Sequence, residues 1–149
     1  MNFDPNYSFK VLLAEDDEDD RLLFEHAAKE LTVPVELITI DNGEKLMEYL
    51  LENRSNLPDI LFLDIHMPLK NGIECLAEIK SHPDLKLLHV IIYSGDLNEE
   101  TANQLYRQEA HYYIRKPEFP ELKKLLQAVL LLLSSKKTQT SKESVFSLN

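Results

Sequence analysis

Two acidic groups stand where apolar runs stop. Val11-Leu12-Leu13-Ala14 ends in Glu15-Asp16-Asp17, and Ile60-Leu61-Phe62-Leu63 ends in Asp64. Two more apolar runs end in polar groups of other kinds: His89–Tyr93 in Ser94, and His111–Ile114 in Arg115-Lys116-Pro117. If these runs are parallel strands, their carboxyl ends share one edge, where open α/β sheets bind ligands. That edge then holds Glu15, Asp16, Asp64, Ser94 and Lys116. Three carboxylates within about 5 Å repel one another by several kcal/mol per pair at an effective dielectric of roughly 20. Either a proton is held at raised pKa or a divalent cation binds. An oxygen-only set with few protein ligands and room for water suits Mg²⁺. A carboxylate oxygen of Asp64 could then serve as nucleophile toward a phosphoryl group. Lys116 would pair with one phosphoryl oxygen as a point charge, and Ser94 would donate a hydrogen bond to another.

The elements that must position these residues follow from periodicity. Phe9 to Ala14 reads as a first strand, and Asp17 to Leu31 as a helix with Leu23, Ala27 and Leu31 on one face, Leu22 and Phe24 flanking. Its acidic start, Asp17 to Asp20, suits the positive end of the helix dipole and reads as a solvated face. Val35 to Ile40 alternates, as a strand near a sheet edge does. A helix from about Glu44 to Leu51 and a buried strand from Asp59 to Asp64 come next. Asn71-Gly72 opens a helix over Ile73 to Lys80, with Ile73, Leu76, Ala77 and Ile79 inward and Cys75 a small core or boundary residue. His89–Tyr93 is a fourth strand, Asn98 to Gln108 a polar helix and His111 to Ile114 a fifth strand. Pro120 is placed as the first residue of a last helix, with Leu122, Leu125, Leu126, Val129 and Leu133 inward. The leucines from Leu130 to Leu133 cover more than one face, which fits either core or a partner surface. Strand and helix alternate five times, so the expected class is α/β: a five-stranded parallel sheet with helices on both faces.

The expected organisation is an N-terminal arm over residues 1–8, one domain over 9–133 and a polar, disordered tail over 134–149. The net charge of −10 disfavours nucleic acid or anionic lipid as a direct partner. No apolar run is long enough to cross a membrane, and residues 1–6 lack a signal-peptide pattern. The single cysteine, Cys75, has no internal disulfide partner, which makes the cytoplasm the expected compartment.

Four stretches together resemble the receiver domains of bacterial two-component response regulators, the flavodoxin-like group that includes the chemotaxis regulator CheY. They are Val11–Asp17, Leu63-Asp64-Ile65-His66-Met67-Pro68 with Asn71-Gly72, Tyr93-Ser94-Gly95, and Tyr113-Ile114-Arg115-Lys116-Pro117. The resemblance implies strand order 2-1-3-4-5 and an acyl phosphate formed on Asp64 from a phosphohistidine. It implies Mg²⁺ held by Asp16, Asp64 and the His66 backbone carbonyl, with Glu15 acting through a water. Ser94 and Lys116 would contact the phosphoryl group, and Tyr113 matches the family's switch aromatic. The implied output surface is the fourth helix, fifth strand and fifth helix, which also serves as a homodimer face. The implied partners are a sensor histidine kinase or histidine phosphotransfer protein and a downstream protein. His66 and Asp96 occupy positions where the family varies, and both are expected to tune dephosphorylation. Glu109 stands where a glycine is common, which bears on the loop before the fifth strand. The Glu52–Pro58 loop and the fourth strand look most like stand-alone regulators associated with phytochrome-type kinases.

Other readings remain open at this stage. A Mg²⁺-dependent phosphohydrolase using an aspartyl phosphate would more commonly carry its nucleophile after the first strand, with an acid two residues on, where His66 stands. A flavin-binding relative needs a hydroxyl-rich phosphate loop, whereas residues 15–20 are all acidic. A degenerate receiver that only binds partners would not need the full acid, Ser and Lys set. The favoured expectation is a stand-alone switch that catalyses only its own phosphorylation and dephosphorylation and acts by protein binding or phosphorelay. After Leu133 too little chain is left for a separate output domain.

Overall fold

The computed structural model describes residues 8–95, 97–108 and 112–134. The expectations for the N-terminal arm up to residue 7, for Asp96, for the Glu109 loop, for His111 and for the tail beyond Ser134 lie outside the described residues. Strands and helices alternate as β1 (Phe9–Ala14), α1 (Glu18–Lys29), β2 (Val35–Ile40), α2 (Gly43–Glu52) and β3 (Ile60–Leu63), then α3 (Gly72–Ser81), β4 (Val90–Ser94), α4 (Glu99–Arg107), β5 (Tyr112–Arg115) and α5 (Phe119–Ser134). The strands form one parallel sheet in the order β2-β1-β3-β4-β5. Chain order reverses between β1 and β3, and this switch point is where Glu15 and Asp64 emerge side by side.

Residue parity divides the core in two. Leu12, Ala14, Leu61, Leu63, Val90 and Ile92 face α2, α3 and α4. Val11, Leu13, Ile60, Phe62, Ile91 and Tyr93 face α1 and α5. Both faces of the central strands are therefore covered, so their sequences read as continuous apolar runs. Strand β2 lies at the edge, and its residues are half-buried apart from the exposed Glu36.

The helix faces differ in part from the expectation. On α1 Leu22 and Leu23 are exposed, while Phe24 and Ala27 are buried. Phe24 stands edge-on to Phe62 and Tyr93, with ring centroids 5.1 and 5.6 Å apart. The apolar arc of α1 is wider than its contact with the sheet, and the aromatic ring takes the inner position. On α3 Cys75 is fully buried, whereas Ala77 is exposed. Burial pushes the Cys75 thiol up to about 12, so it behaves as a small core residue. On α5 Leu130 is buried, Leu125 and Leu133 pack at the margin of the core, and Leu132 is exposed. Helix α5 starts at Phe119 rather than Pro120, because the Leu122 N–H closes the first turn on the Glu118 carbonyl. Proline is tolerated in that turn, since no intrahelical bond needs its N–H.

Four helices start just past the carboxyl edge of the sheet on Asx caps. The side chains of Asp17, Asn42, Asn71 and Asn98 accept the N–H groups of Asp20, Lys45, Glu74 and Thr101. Two glycines let helix starts approach the loop after β3. A Cβ on Gly72 would meet the Asp64 carbonyl oxygen at 2.2 Å, and one on Gly43 would meet the Lys70 carbonyl oxygen at 1.9 Å. The loop itself turns tightly at Leu69, whose φ of 70° accompanies a Lys70 N–H to Pro68 O hydrogen bond of 2.8 Å. Gly72→Ala is expected to lower stability by about 1–3 kcal/mol, although alanine is otherwise the better helix former by about 1 kcal/mol. Gly95→Ala, with open space at its Cβ, should stay within about 0.5 kcal/mol. Urea unfolding of both variants checks the contrast.

Candidate functional site

The site is built from the first residues past the strand ladders. The N–H of Glu15 bonds the last carbonyl of β2, Ile40 O, at 2.9 Å. The N–H of Asp64 bonds Ala14 O at 3.0 Å, and that of Lys116 bonds Ser94 O at 3.0 Å. Each functional side chain thus leaves a backbone position held by the neighbouring strand. Ligand oxygens of Glu15, Asp16 and Asp64 all lie within 4.8 Å of one another. Glu15 and Asp64 are buried, while Asp16 is exposed.

Lys116 reaches into this acidic group. Its Nζ lies 2.6 Å from Glu15 Oε1, 2.9 Å from Asp20 Oδ2 and 3.2 Å from Asp64 Oδ2. The contacts with Asp20 and Asp64 are aligned hydrogen bonds. The one with Glu15 is a close ion pair without that alignment. The ammonium also sits 5.8 Å from the centre of the Tyr93 ring. One ammonium cannot balance the carboxylates around it where water is largely excluded. The surplus is relieved at Glu15, whose pKa is pushed up to about 8, first by burial and then by Asp64, against the lowering effect of Lys116. Burial alone would lower the Lys116 pKa. Its bonds to Glu15 and Asp20 and the charge of Asp64 more than offset this, so the ammonium stays charged.

The remaining polar groups hold the acids in place. Glu15 Oε2 accepts the Asp17 N–H at 3.2 Å, and the Glu15 carbonyl accepts from Arg21 Nη1 at 2.9 Å. Asp64 Oδ1 accepts the His66 N–H at 3.3 Å. The His66 side chain is exposed. Ser94 is fully buried, and its Oγ has no hydrogen-bond partner among the described residues. Tyr113 is buried, with its hydroxyl 3.5 Å from the Ser94 carbonyl oxygen.

Sequence reasoning thus brought Glu15, Asp16, Asp64 and Lys116 to one place, and the structure brings them together. It missed Asp20 and Arg21. Asp20 was read as part of a solvated helix start, yet it is hydrogen-bonded to Lys116 across 96 residues of chain. Within six consecutive acids no sequence signal singles it out. Its spacing of three from the Asp17 cap is the one available hint.

The donor set fits a small divalent cation. Opposite ligands of Mg²⁺ stand about 4.2 Å apart, close to the spread of these oxygens. The carboxylate excess and the unpartnered Ser94 hydroxyl both favour an added cation and an added acceptor.

Comparison with known proteins agrees with this geometry. The family model of the response regulator receiver domain matches residues 11–130. Response regulator Rcp1 of Synechocystis sp. is 31% identical over 134 residues, which cover 87% of this chain and 91% of Rcp1. The structure of the phosphorylated cyanobacterial phytochrome response regulator RcpA superposes with a TM-score of 0.79 at 33% identity, covering 91% of this chain and 100% of that one. Mn²⁺-bound Rcp1 superposes with a TM-score of 0.75 at 29% identity, covering 89% of this chain and 99% of that one. The match over almost all of the sheet and its helices, with an acid cluster at the switch point and a lysine past the last strand, makes this chain a member of the response regulator receiver domain family.

Proposed function

We propose that the chain is a phosphorylation switch in which Asp64 accepts a phosphoryl group in a Mg²⁺-dependent reaction. The observation that carries this reading is the convergence of Lys116, Glu15 and Asp16 on the buried Asp64 at the switch point of the sheet. In the transfer, a carboxylate oxygen of Asp64 bonds to phosphorus as the P–N bond of a phosphohistidine breaks. The electron pair returns to the imidazole nitrogen. Hydrolysis later cleaves the acyl phosphate and restores the carboxylate, so the chemistry is the chain's own modification.

Each residue has a separable task in this reading. Asp16, Asp64 and the backbone carbonyl of His66 would hold Mg²⁺, with Glu15 acting through a water. Bound there, the ion supplies positive charge to the transferring phosphoryl oxygens. Lys116 pairs with one of those oxygens and Ser94 Oγ donates to another. The Tyr113 hydroxyl approaches the Ser94 carbonyl, so movement of the serine would reach the aromatic ring. The exposed His66 side chain, with Asp96, would tune attack by water on the acyl phosphate.

Receiver domains interact with histidine kinases and with downstream targets. For this chain the likeness to the cyanobacterial phytochrome response regulator RcpA supports a phytochrome-type kinase as donor, directly or through a histidine phosphotransfer protein. Such a donor makes the cytoplasm the working compartment. Among the described residues no helix is long and apolar enough to cross a membrane. Signal output in this reading is protein binding or relay through α4, β5 and α5, either to a target or to a second copy. Residues 9–133 would form the receiver unit.

Incubation with acetyl phosphate and Mg²⁺ followed by intact-mass measurement tests the central claim. One phosphoryl adduct is expected in the wild type, lost without Mg²⁺ and absent in Asp64→Asn. Sustained release of phosphate from unrelated monoesters would favour the phosphohydrolase reading instead.

A proton and a divalent cation relieve the same charge excess, which gives a pH dependence. Without metal, folded Glu15 binds more protons than the unfolded chain between its ordinary value of 4.5 and about 8. Stability must then fall as pH rises through that window, with a slope of at most about 1.4 kcal/mol per pH unit for one proton. Urea midpoints measured in chelator from pH 5 to 9 should show this fall. It should flatten in Glu15→Gln and in the wild type with saturating Mg²⁺. A flat wild-type profile in chelator would count against the raised Glu15 value.

A further inference from the structure

Lys116 is bound to one acid that the receiver chemistry does not employ. Asp20, in the first turn of α1, accepts from Nζ at 2.9 Å. An ammonium has three donors. Here three carboxylates face it: Glu15, Asp20 and Asp64. Two of its donors are in aligned bonds to Asp20 and Asp64, and Glu15 crowds it at 2.6 Å, so a phosphoryl oxygen on Asp64 competes with these carboxylates for Lys116.

The three are not equally able to do so. Glu15 is fully buried, with Oε2 engaged by the Asp17 N–H. Asp64 carries the bond that forms. The Asp20 side chain is one-third exposed, so water can replace the ammonium as its partner. Nor does α1 depend on that carboxylate for its start. The Asp17 side chain caps the Asp20 N–H at 2.9 Å, and the Asp17 N–H goes to Glu15 rather than to Asp20. Glu18 and Asp19 keep negative charge in the same turn.

We propose that Asp20 is a positioning residue that competes with the phosphoryl group for Lys116 and so slows phosphorylation of Asp64. The inference rests on the reading of Asp64 as acceptor. Releasing Asp20 frees one donor for the transferring group, while Asp64 Oδ forms its bond to phosphorus and acetate departs from acetyl phosphate with the electron pair.

The test uses the full chain with acetyl phosphate and saturating Mg²⁺, following initial phosphorylation rates by intact mass. Wild type, Asp20→Asn, Asp20→Glu, Lys116→Gln and the double variant Asp20→Asn with Lys116→Gln are compared. Asp20→Asn should raise the rate about threefold, the scale of a partly exposed ion pair. Asp20→Glu should return it toward wild type. The gain should vanish in the Lys116→Gln background, which a general loosening of α1 would not produce. An Asp20→Asn rate at or below wild type, or an equal gain without Lys116, would overturn the proposal. If the wild type itself takes no phosphoryl group, the acceptor reading falls and this inference with it. A phosphorylated wild type with an unchanged Asp20→Asn rate removes this inference alone.

Discussion

Crowded negative charge at one sheet edge is the constraint on which this structure depends. Glu15 and Asp64 are both buried, with Asp16 beside them, and the ammonium of Lys116 is shared among Glu15, Asp20 and Asp64. A stability-optimised core would not collect such groups, because unbalanced buried charge costs several kcal/mol per ion. The pKa of Glu15 is raised by that crowding, with desolvation its largest cause. A site that is uncomfortable without an added cation is one in which cation binding and protonation compete.

The fold can sustain this because the charged side chains leave from rigid backbone. Glu15, Asp64 and Lys116 all follow directly on ladder positions, and each has its N–H bonded to the adjacent strand. Gly43 and Gly72 let α2 and α3 begin against the loop that carries Asp64 out of the sheet. The ring cluster of Phe24, Phe62 and Tyr93 lies on the α1 and α5 face, with Tyr93 also beneath Lys116. Sheet packing and placement of the charged groups are thus the same set of contacts.

Much of this was legible in the residues. Apolar runs ending in acid, serine and lysine located the strands to within a residue or so at each end, and with them the functional edge. This works because buried parallel strands must be apolar throughout, so their ends are abrupt. Helix phase was less legible. On α1 Leu22, Leu23, Phe24 and Ala27 compete for a face that buries only Phe24 and Ala27. Periodicity cannot decide which one wins when the deciding contact, Phe24 on Phe62 and Tyr93, lies on other strands. Asp20 was hidden for a different reason. Its role depends on a lysine 96 residues away, and its neighbours in sequence have the same charge.

The buried hydroxyl of Ser94 completes the argument from charge. A buried hydroxyl left without a partner costs about 1–3 kcal/mol, and Ser94 Oγ has none among the described residues. Alanine or glycine there would spare the fold that cost. The Ser94 carbonyl accepts the Lys116 N–H, and the Tyr113 hydroxyl approaches the same oxygen. A donor kept unsatisfied at that position can gain a full hydrogen bond from an incoming phosphoryl oxygen without first breaking another. Lys116, by contrast, is already hydrogen-bonded to Asp20 and Asp64. Ser94 Oγ and the Lys116 ammonium thus stand in opposite conditions, one without a partner among the described residues and one already bonded to two carboxylates.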